Sequence, residues 1–193
     1  MSFVRYEVEG IILGQMPSGE GSKIVLLFTA NFGLVYALAQ GAREGKSKLK
    51  FVLQDGAMLH ASLIHGREKF RLVDAVLLNN PFSFFKNNQE DYLVFVRWAN
   101  LLRRMIKGQT PQPELFLILK DQLLFLENHH LDHEARLALE ILGTGRILIT
   151  LGYLSEKIIN KNAPISTDTL TSILKNRSQI LVSINKAIKE SHL

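Results

Sequence analysis

The sequence predicts an α+β protein in which a small five-stranded β-barrel is followed by an all-helical domain. In the first 80 residues, short runs rich in Val, Ile, Leu and Phe alternate with Gly-rich breaks, which is typical of strands. After Pro81 the apolar residues recur at helical spacing instead. We therefore predict a barrel domain at residues 1–80 and a helical domain at residues 81–193.

Five strands are predicted before Pro81, separated by GQMPSGEGS, ANFG, the stretch around GAREGKS, and HGRE. They are Tyr6 to Leu13, Lys23 to Thr29, Gly33 to Ala39, Ala57 to His65 and Lys69 to Leu78. Five short strands with one longer connection between the third and fourth fit an oligonucleotide-binding (OB) fold. An SH3-like barrel has a compatible number of strands, so the pattern alone leaves both open.

The helical half is predicted from apolar stripes and capping residues. One helix runs from Asn88 to Lys107, and Pro113 is well placed in the first turn of a second. Asp132 can cap a third helix, which we expect to break near Gly143 or Gly145. A last helix or pair of helices follows the polar segment NKNAPIST. The apolar faces predict a helical-bundle core.

Composition narrows the class of protein. Hydrophobic residues make up 47% of the 193 residues and charged residues 21%, which is ordinary for a chain that buries a core. The net charge of +5 favours a polyanionic partner without establishing one. The chain has no cysteine, which excludes disulfides and thiolate zinc sites. With no signal-peptide pattern and no apolar run near the roughly 20 residues of a membrane span, we expect a cytoplasmic protein without a membrane segment.

The stretch GAREGKS at residues 41–47 resembles a nucleotide-binding P-loop, G-x-x-x-x-G-K-[ST], behind a strand. Only three residues separate Gly41 from Gly45, whereas the P-loop needs four to wrap a phosphate with its backbone amides. The residues behind Ser47 are also too few and too basic for a crossover helix. With no G-x-S-x-G and no paired metal ligands either, the sequence predicts no nucleotide site, no cofactor and no enzyme.

Four cations remain in this stretch and its continuation: Arg43, Lys46, Lys48 and Lys50. The even spacing of the three lysines would place them on one side of an extended segment, and glycines allow a phosphate to approach the backbone closely. A phosphate-binding loop and an ordinary solvated loop both fit these residues.

The segment EGIILGQMPSGEGSKIVLLFTANFGLVYALAQGAREGKSKL resembles the N-terminal domain of the RecO family of bacterial recombination mediators. That family typically shows E-G-I-V-L, then G-E-x-x-[KR] before a strand ending L-F-T, then [KQ]-G-A-R-x-x-[KR]-S-[KR]-L. The positions that match are Glu9, Gly10, Ile11, Leu13, Gly19, Glu20, Lys23, Leu27, Phe28, Thr29, Gly33, Gly41, Ala42, Arg43, Lys46, Ser47, Lys48 and Leu49.

The resemblance implies an N-terminal OB-fold followed by a helical domain. It further implies binding of single- and double-stranded DNA, annealing of complementary strands, and partnership with RecR and with single-stranded-DNA-binding protein. Together with RecR, members of the family help to load the recombinase RecA onto protein-coated single strands. The role is that of a mediator in recombinational DNA repair, not that of an enzyme.

The chain departs from the family pattern at three places. Many members carry a four-cysteine zinc site in the C-terminal half, which a chain without cysteine cannot form. The tract after the first strand is commonly Arg-rich but reads Gly14-Gln15-Met16 here, and Glu44 stands where a second basic residue is common. Because the last two departures lower the local positive charge, an adaptor of the same fold with weak or no DNA binding is the alternative function.

The candidate DNA-binding residues are the cations that match or adjoin the family motif. We expect phosphate contacts from Lys23, Arg43, Lys46, Lys48 and Lys50, and weaker ones from Arg67 and Arg71. Aromatic residues of OB-folds often stack on bases. Phe51, Phe70 and Tyr36 could do so, although we expect each of them to belong to the core.

Two further polar groups lie in the helical half. Arg97, Arg103, Arg104 and Lys107 gather on one side of a predicted helix, where they form either a solvated face or a second basic face for DNA or for the acidic tail of single-stranded-DNA-binding protein. The run HHLDH at residues 129–133 has potential zinc ligands, but adjacent histidines point apart on a helix. We therefore expect a polar interhelical turn and no metal.

Overall fold

The computed structural model describes residues 4–66 and 69–191. The chain divides into two compact units, one formed by Met1–Asn88 with Ile106–Pro113 and the other by Gln89–Met105 with Glu114–Leu193. The strands are β1 (Arg5–Ser18), β2 (Ser22–Thr29), β3 (Gly33–Ala39), β4 (Met58–His65) and β5 (Phe70–Asn79). The helices are α1 (Leu49–Val52), α2 (Phe82–Asn87), α3 (Gln89–Met105), α4 (Pro113–Asn128), α5 (His133–Thr150), α6 (Thr167–Lys175) and α7 (Arg177–Glu190).

The strands of the first unit close into a barrel in the order β1-β2-β3-β5-β4. Neighbours are antiparallel except β3 and β5, which pair in parallel over Ala37–Phe70 and Leu38–Arg71. Alternate residues point into the barrel, for example Val25 and Leu27 of β2, and form its apolar core. The prediction of a five-stranded OB-fold barrel followed by helices is confirmed.

The first strand is longer than the sequence predicts. We expected it to end at Leu13, but β1 continues to Ser18 and pairs first with β4 and then with β2. The register shifts between Ile12 and Gly14, so Leu13 is the extra residue of a β-bulge. A bulge bends its strand and increases the twist, which allows one strand to serve two neighbours around a closed barrel.

The helix boundaries predicted for the second unit agree closely with those of the structure. The helix predicted from Asn88 is α3, Pro113 is the first residue of α4, and the segment after NKNAPIST forms the pair α6 and α7. The Asp132 carboxylate accepts a hydrogen bond from the backbone N–H of Ala135 at 2.8 Å, so this residue caps α5 as predicted.

The predicted break in α5 is wrong, because the helix continues through both glycines to Thr150. Both glycines are places of close approach. A Cβ at Gly143 would lie 2.5 Å from the Trp98 ring, and a Cβ at Gly145 would lie 2.2 Å from Ile159. Glycine is therefore kept in this helix for packing and does not interrupt it.

Arg146 of α5 is hydrogen-bonded to the connection that follows the helix. Its guanidinium is buried, donates a hydrogen bond to the Ala163 carbonyl, and lies 3.6 Å from the Asp121 carboxylate. Burial lowers the pKa of Arg146, and Asp121 opposes that effect.

Within the described part of the chain, no helix combines the length and the apolar character needed to cross a membrane.

Candidate nucleic-acid interface

Four of the five cations predicted to contact phosphates lie on one connection, residues 41–50 between β3 and β4, which we call the basic loop. Arg43, Lys46, Lys48 and Lys50 are all exposed there. None of the three lysines forms an ion pair with another described residue. Their ammonium groups therefore remain available for a polyanion.

The basic loop is fixed to the turn between β1 and β2 by hydrogen bonds. The backbone N–H of Arg43 donates to the Gly21 carbonyl at 2.9 Å, and its guanidinium donates to the Gly19 carbonyl at 3.3 Å. The backbone N–H of Glu44 closes a turn on the Gly41 carbonyl at 3.0 Å. These bonds hold the two connections side by side, so that their exposed residues form one surface.

The fifth predicted cation, Lys23, is held differently. It lies on β2 opposite Ala39, at the base of the basic loop, and it is half-buried. Its ammonium donates to the Gln15 amide oxygen at 2.7 Å, and the Gln15 amide nitrogen donates to Asp55 at 3.3 Å. Lys23 thus has a partner within the barrel wall that a phosphate would have to replace or join.

Glu44 places a carboxylate within the candidate surface. A Cβ at Gly41 would lie 3.2 Å from the Glu44 carboxylate oxygen, and a Cβ at Gly21 would lie 3.4 Å from the same oxygen. The carboxylate therefore covers a notch between these two glycines, which we call the glycine notch. It forms no hydrogen bond or ion pair with the described residues through its side chain.

The aromatic candidates divide into one core residue and two exposed ones. Phe70 is 2% exposed and packs edge-on against Tyr6, Phe32 and His65, so the expectation of a core role is confirmed for it. The same expectation is wrong for Tyr36 and Phe51, which are 44% and 71% exposed. On α1, Leu49 and Val52 pack against the barrel core, and Phe51 points away from it.

The weaker basic candidates lie on or beside β5. Arg71 is exposed on β5, where it pairs in register with Leu38 of β3 and Ile64 of β4. Arg67 lies outside the described residues. Arg71 therefore stays available as a peripheral contact.

Three of the four residues of the predicted second basic face lie on α3. Arg97 and Arg104 line the same groove, whereas Arg103 is exposed on α3 but does not line it. Lys107 comes after the end of α3 and belongs to the first unit. Two of the four residues thus share this groove.

That groove lies between α3, α5 and α7 and has a volume of about 370 Å³. The Arg97 guanidinium is 2.5 Å from the Glu140 carboxylate at its edge. The apolar lining includes Leu101, Leu137, Ile141, Leu181, Ile184 and Ile188. Sequence reasoning missed this groove, because its lining comes from three separate helices and no single stretch signals it.

The run HHLDH forms a polar turn between α4 and α5, as predicted. The His129 ring stacks on Phe125 with centroids 3.9 Å apart, and Asp132 and His133 start α5. In residues 4–66 and 69–191, no three His, Asp or Glu side chains come together as a metal site.

Comparison with known proteins finds a family model and relatives that are similar to this chain. Residues 1–81 match the family model for the recombination protein O N terminal domain. The DNA repair protein RecO of Thermodesulfovibrio yellowstonii is 30% identical over 156 residues, or 79% of this chain and 60% of the relative. RecO of Gloeothece citriformis is 29% identical over 126 residues, covering 63% of this chain and 43% of that protein.

RecO of Prosthecochloris aestuarii is 26% identical over 149 residues, which is 76% of this chain and 55% of that protein. The chain thus spans between 43% and 60% of the length of these three relatives. Residues 1–81 thus match the N-terminal domain of the recombination protein O family, and 79% of the chain is similar to a bacterial DNA repair protein RecO.

Proposed function

We propose that this protein acts in DNA repair and homologous recombination by binding single- and double-stranded DNA through the basic loop. The proposal rests on the exposed cations of the basic loop. Arg43, Lys46, Lys48 and Lys50 are exposed together on a connection that hydrogen bonds hold against the neighbouring turn. The family model that residues 1–81 match, and relatives named DNA repair protein RecO, support the same role.

Such a surface suits the annealing of complementary strands. Lysine and arginine bind phosphates by displacing counterions, which gives affinity with little dependence on sequence. A strand held by its phosphates keeps its base edges free to pair with a second strand. Annealing requires no nucleophile, general base or cofactor, so the proposed role is not enzymatic.

The proposal includes protein partners. With RecR, the protein would help to load RecA onto single-stranded DNA covered by single-stranded-DNA-binding protein. The groove between α3, α5 and α7 has the chemistry to receive that protein's acidic tail, since it combines an apolar lining with Arg97 and Arg104. Because Glu140 already contacts Arg97, an incoming carboxylate would compete with it.

The test is a salt series of binding to fluorescent single-stranded DNA by the wild type and the Lys46→Ala/Lys48→Ala double variant. We expect saturable binding that weakens with salt. The slope of log K against log salt should be shallower by about 1.4 in the variant, because each of the two phosphates that it no longer neutralises contributes about 0.7. The control is a Lys175→Ala/Lys189→Ala variant. It removes two exposed lysines of the helical unit and changes the net charge by the same amount.

Each outcome bears on the proposal. If the two double variants are weakened by the same amount, net charge and not the basic loop determines binding. If the wild type binds no DNA even at low salt, the protein is an adaptor of the same fold. The glycine notch, which holds a carboxylate, is the observation that favours this second candidate function.

A Glu44→Gln substitution is expected to raise the affinity for single-stranded DNA by about fivefold at low salt. The estimate follows from about 1 kcal/mol between unit charges 4 Å apart in water, and the gain should shrink as salt screens the charge. Glu20→Gln, on the adjoining turn, is the matched control because it removes the same charge outside the glycine notch. An equal gain from Glu20→Gln would contradict a local role for Glu44.

A further inference from the structure

Phe51 is the most exposed large hydrophobic side chain of the described residues, at 71%. It occupies α1, directly after the three lysines of the basic loop. Isolated apolar residues on a surface are common and need no explanation by themselves. The neighbourhood distinguishes this one, because the exposed side chains that precede it along the loop are cations and Glu44.

The packing of α1 does not require an apolar residue at position 51. Leu49 and Val52 face the barrel and pack against its core, and Leu53 is fully buried. These three residues fix the short helix to the barrel, whereas Lys50 and Phe51 point outward. The fold thus presents an aromatic ring and an ammonium group from consecutive exposed residues of a supported segment.

We propose that Phe51 stacks on an unpaired base while Lys48 and Lys50 hold the adjoining phosphates, an inference that rests on the proposed DNA-binding function. An aromatic face stacks on any base, with about 1–3 kcal/mol per base, and adjacent cations retain the backbone. Bases inside a duplex are already stacked on their neighbours. Phe51 therefore gives the basic loop a preference for single strands, whereas the lysines bind both forms of DNA.

The exposed apolar residues of β5 lack these properties. Val73, Val76 and Leu78 of β5 are aliphatic, so they offer no ring for a base. Among the described residues, the cation nearest to them in the sequence is Arg71 of the same strand. Since α1 packs against β5, a protein partner that covers both Phe51 and β5 is the competing occupant, and the experiment separates it from a base.

The experiment compares three oligonucleotides of equal length: a single strand, its duplex and a single strand of abasic nucleotides. Phe51→Ala is expected to weaken binding of the ordinary single strand by about 5- to 150-fold, the range that corresponds to one stacked base. Binding of the duplex and of the abasic strand should change less than about twofold, because both depend on phosphate contacts alone.

Two further variants identify the interaction. Phe51→Trp should retain the affinity for the single strand, whereas Phe51→Leu should lose it, because leucine keeps the apolar surface and lacks the ring. Val76→Ala, 59% exposed on β5, is the control and should change nothing. The thermal midpoint of each variant is measured in parallel, and we expect it to be unchanged because Phe51 is not part of the core.

The results distinguish this inference from the proposed function. If Phe51→Ala binds the single strand as tightly as the wild type while the Lys46/Lys48 variant binds weakly, the stacking role is wrong and the phosphate-binding loop stands. Equal losses on all three oligonucleotides, or full retention by Phe51→Leu, would also refute stacking. If the wild type binds none of the three, the proposed function fails as well, and Phe51 belongs to a protein interface.

Discussion

A Trp98→Ala substitution is expected to lower the free energy of unfolding by about 3–5 kcal/mol, the range for removing a large aromatic side chain from a core. Trp98 is 0% exposed in the helical unit, and its indole N–H donates to the Glu140 carbonyl at 3.3 Å. The substitution leaves a cavity against α5 and removes this hydrogen bond. Leu93→Ala on the same helix is the control, because Leu93 is 48% exposed and should change stability by less than about 0.5 kcal/mol.

Gly143 makes this prediction more specific. A Cβ there would lie 2.5 Å from the Trp98 ring and 2.6 Å from the Gln122 amide oxygen. Gly143→Ala should therefore destabilise the wild type by about 1–3 kcal/mol through overpacking. In the Trp98→Ala background the ring is gone, and the Gln122 amide, at the end of a flexible side chain, can move into the cavity that the ring leaves. The greater helix propensity of alanine, worth about 1 kcal/mol, should then make the same substitution neutral or stabilising.

The measurement is urea unfolding followed by circular dichroism for the four proteins of this double-mutant cycle. Residues in direct contact show coupling energies of about 0.5–3 kcal/mol. We expect the double variant to be more stable than the sum of the single changes predicts, because loss of the Trp98 ring relieves the overpacking caused by Gly143→Ala. Additive effects would mean that Gly143 is not kept small by Trp98.

The fold could be predicted from the sequence because its two hydrophobic periods are distinct. The strand predicted from Gly33 to Ala39 has the same bounds as β3 in the structure, and α4 begins at Pro113 as expected. The extension of β1 was missed, because Gly14-Gln15-Met16-Pro17 reads as a turn when only local propensity is considered. Its strand conformation is imposed by pairing with β2 across a bulge, which is a long-range interaction.

The predicted break in α5 failed for a related reason. A glycine inside a helical pattern signals either a break or a close approach by another element, and only the tertiary structure distinguishes these cases. Here Trp98 lies 45 positions earlier in the sequence than Gly143, and Ile159 belongs to the connection after the helix. Neither partner can be identified from the sequence of α5.

The candidate site was predictable in composition but not in geometry. The cations of the basic loop were identified from their spacing and from the family motif, since charged residues on a connection stay in solvent. The position of the Glu44 carboxylate over the glycine notch depends on a turn that brings Gly21 beside Gly41. The exposure of Phe51 was predicted wrongly, because hydrophobicity alone places a phenylalanine in the core and ignores which face of α1 is already filled.

A Gly33→Ala substitution is expected to destabilise the barrel unit by about 2–5 kcal/mol. Gly33 has a φ of 59°, a left-handed conformation that costs an L-residue about 1–2 kcal/mol. A Cβ there would also lie 2.4 Å from the Thr110 carbonyl oxygen, a backbone atom of the same unit. Overpacking of this kind adds about 1–3 kcal/mol.

The Thr110 segment cannot easily move away from a larger residue at position 33. The backbone N–H of Gln112, two residues later, donates to the Ala30 carbonyl at 2.8 Å and holds this segment against the turn between β2 and β3. A side chain at position 33 would therefore have to break that hydrogen bond or distort the turn. Either response should lower the stability and increase hydrogen exchange at the Gln112 amide.

Two other glycines separate the conformational cost from the steric one. Gly19→Ala has a comparable φ of 62° but meets no atom within 4 Å, so it should cost only about 1–2 kcal/mol. Gly45→Ala has neither a positive φ nor a neighbour within that distance and should be close to neutral. Urea unfolding of the three variants should rank them Gly33, Gly19, Gly45 from most to least destabilised. If Gly33→Ala costs no more than Gly19→Ala, the Thr110 carbonyl does not restrain position 33, and Gly33 serves the turn conformation alone.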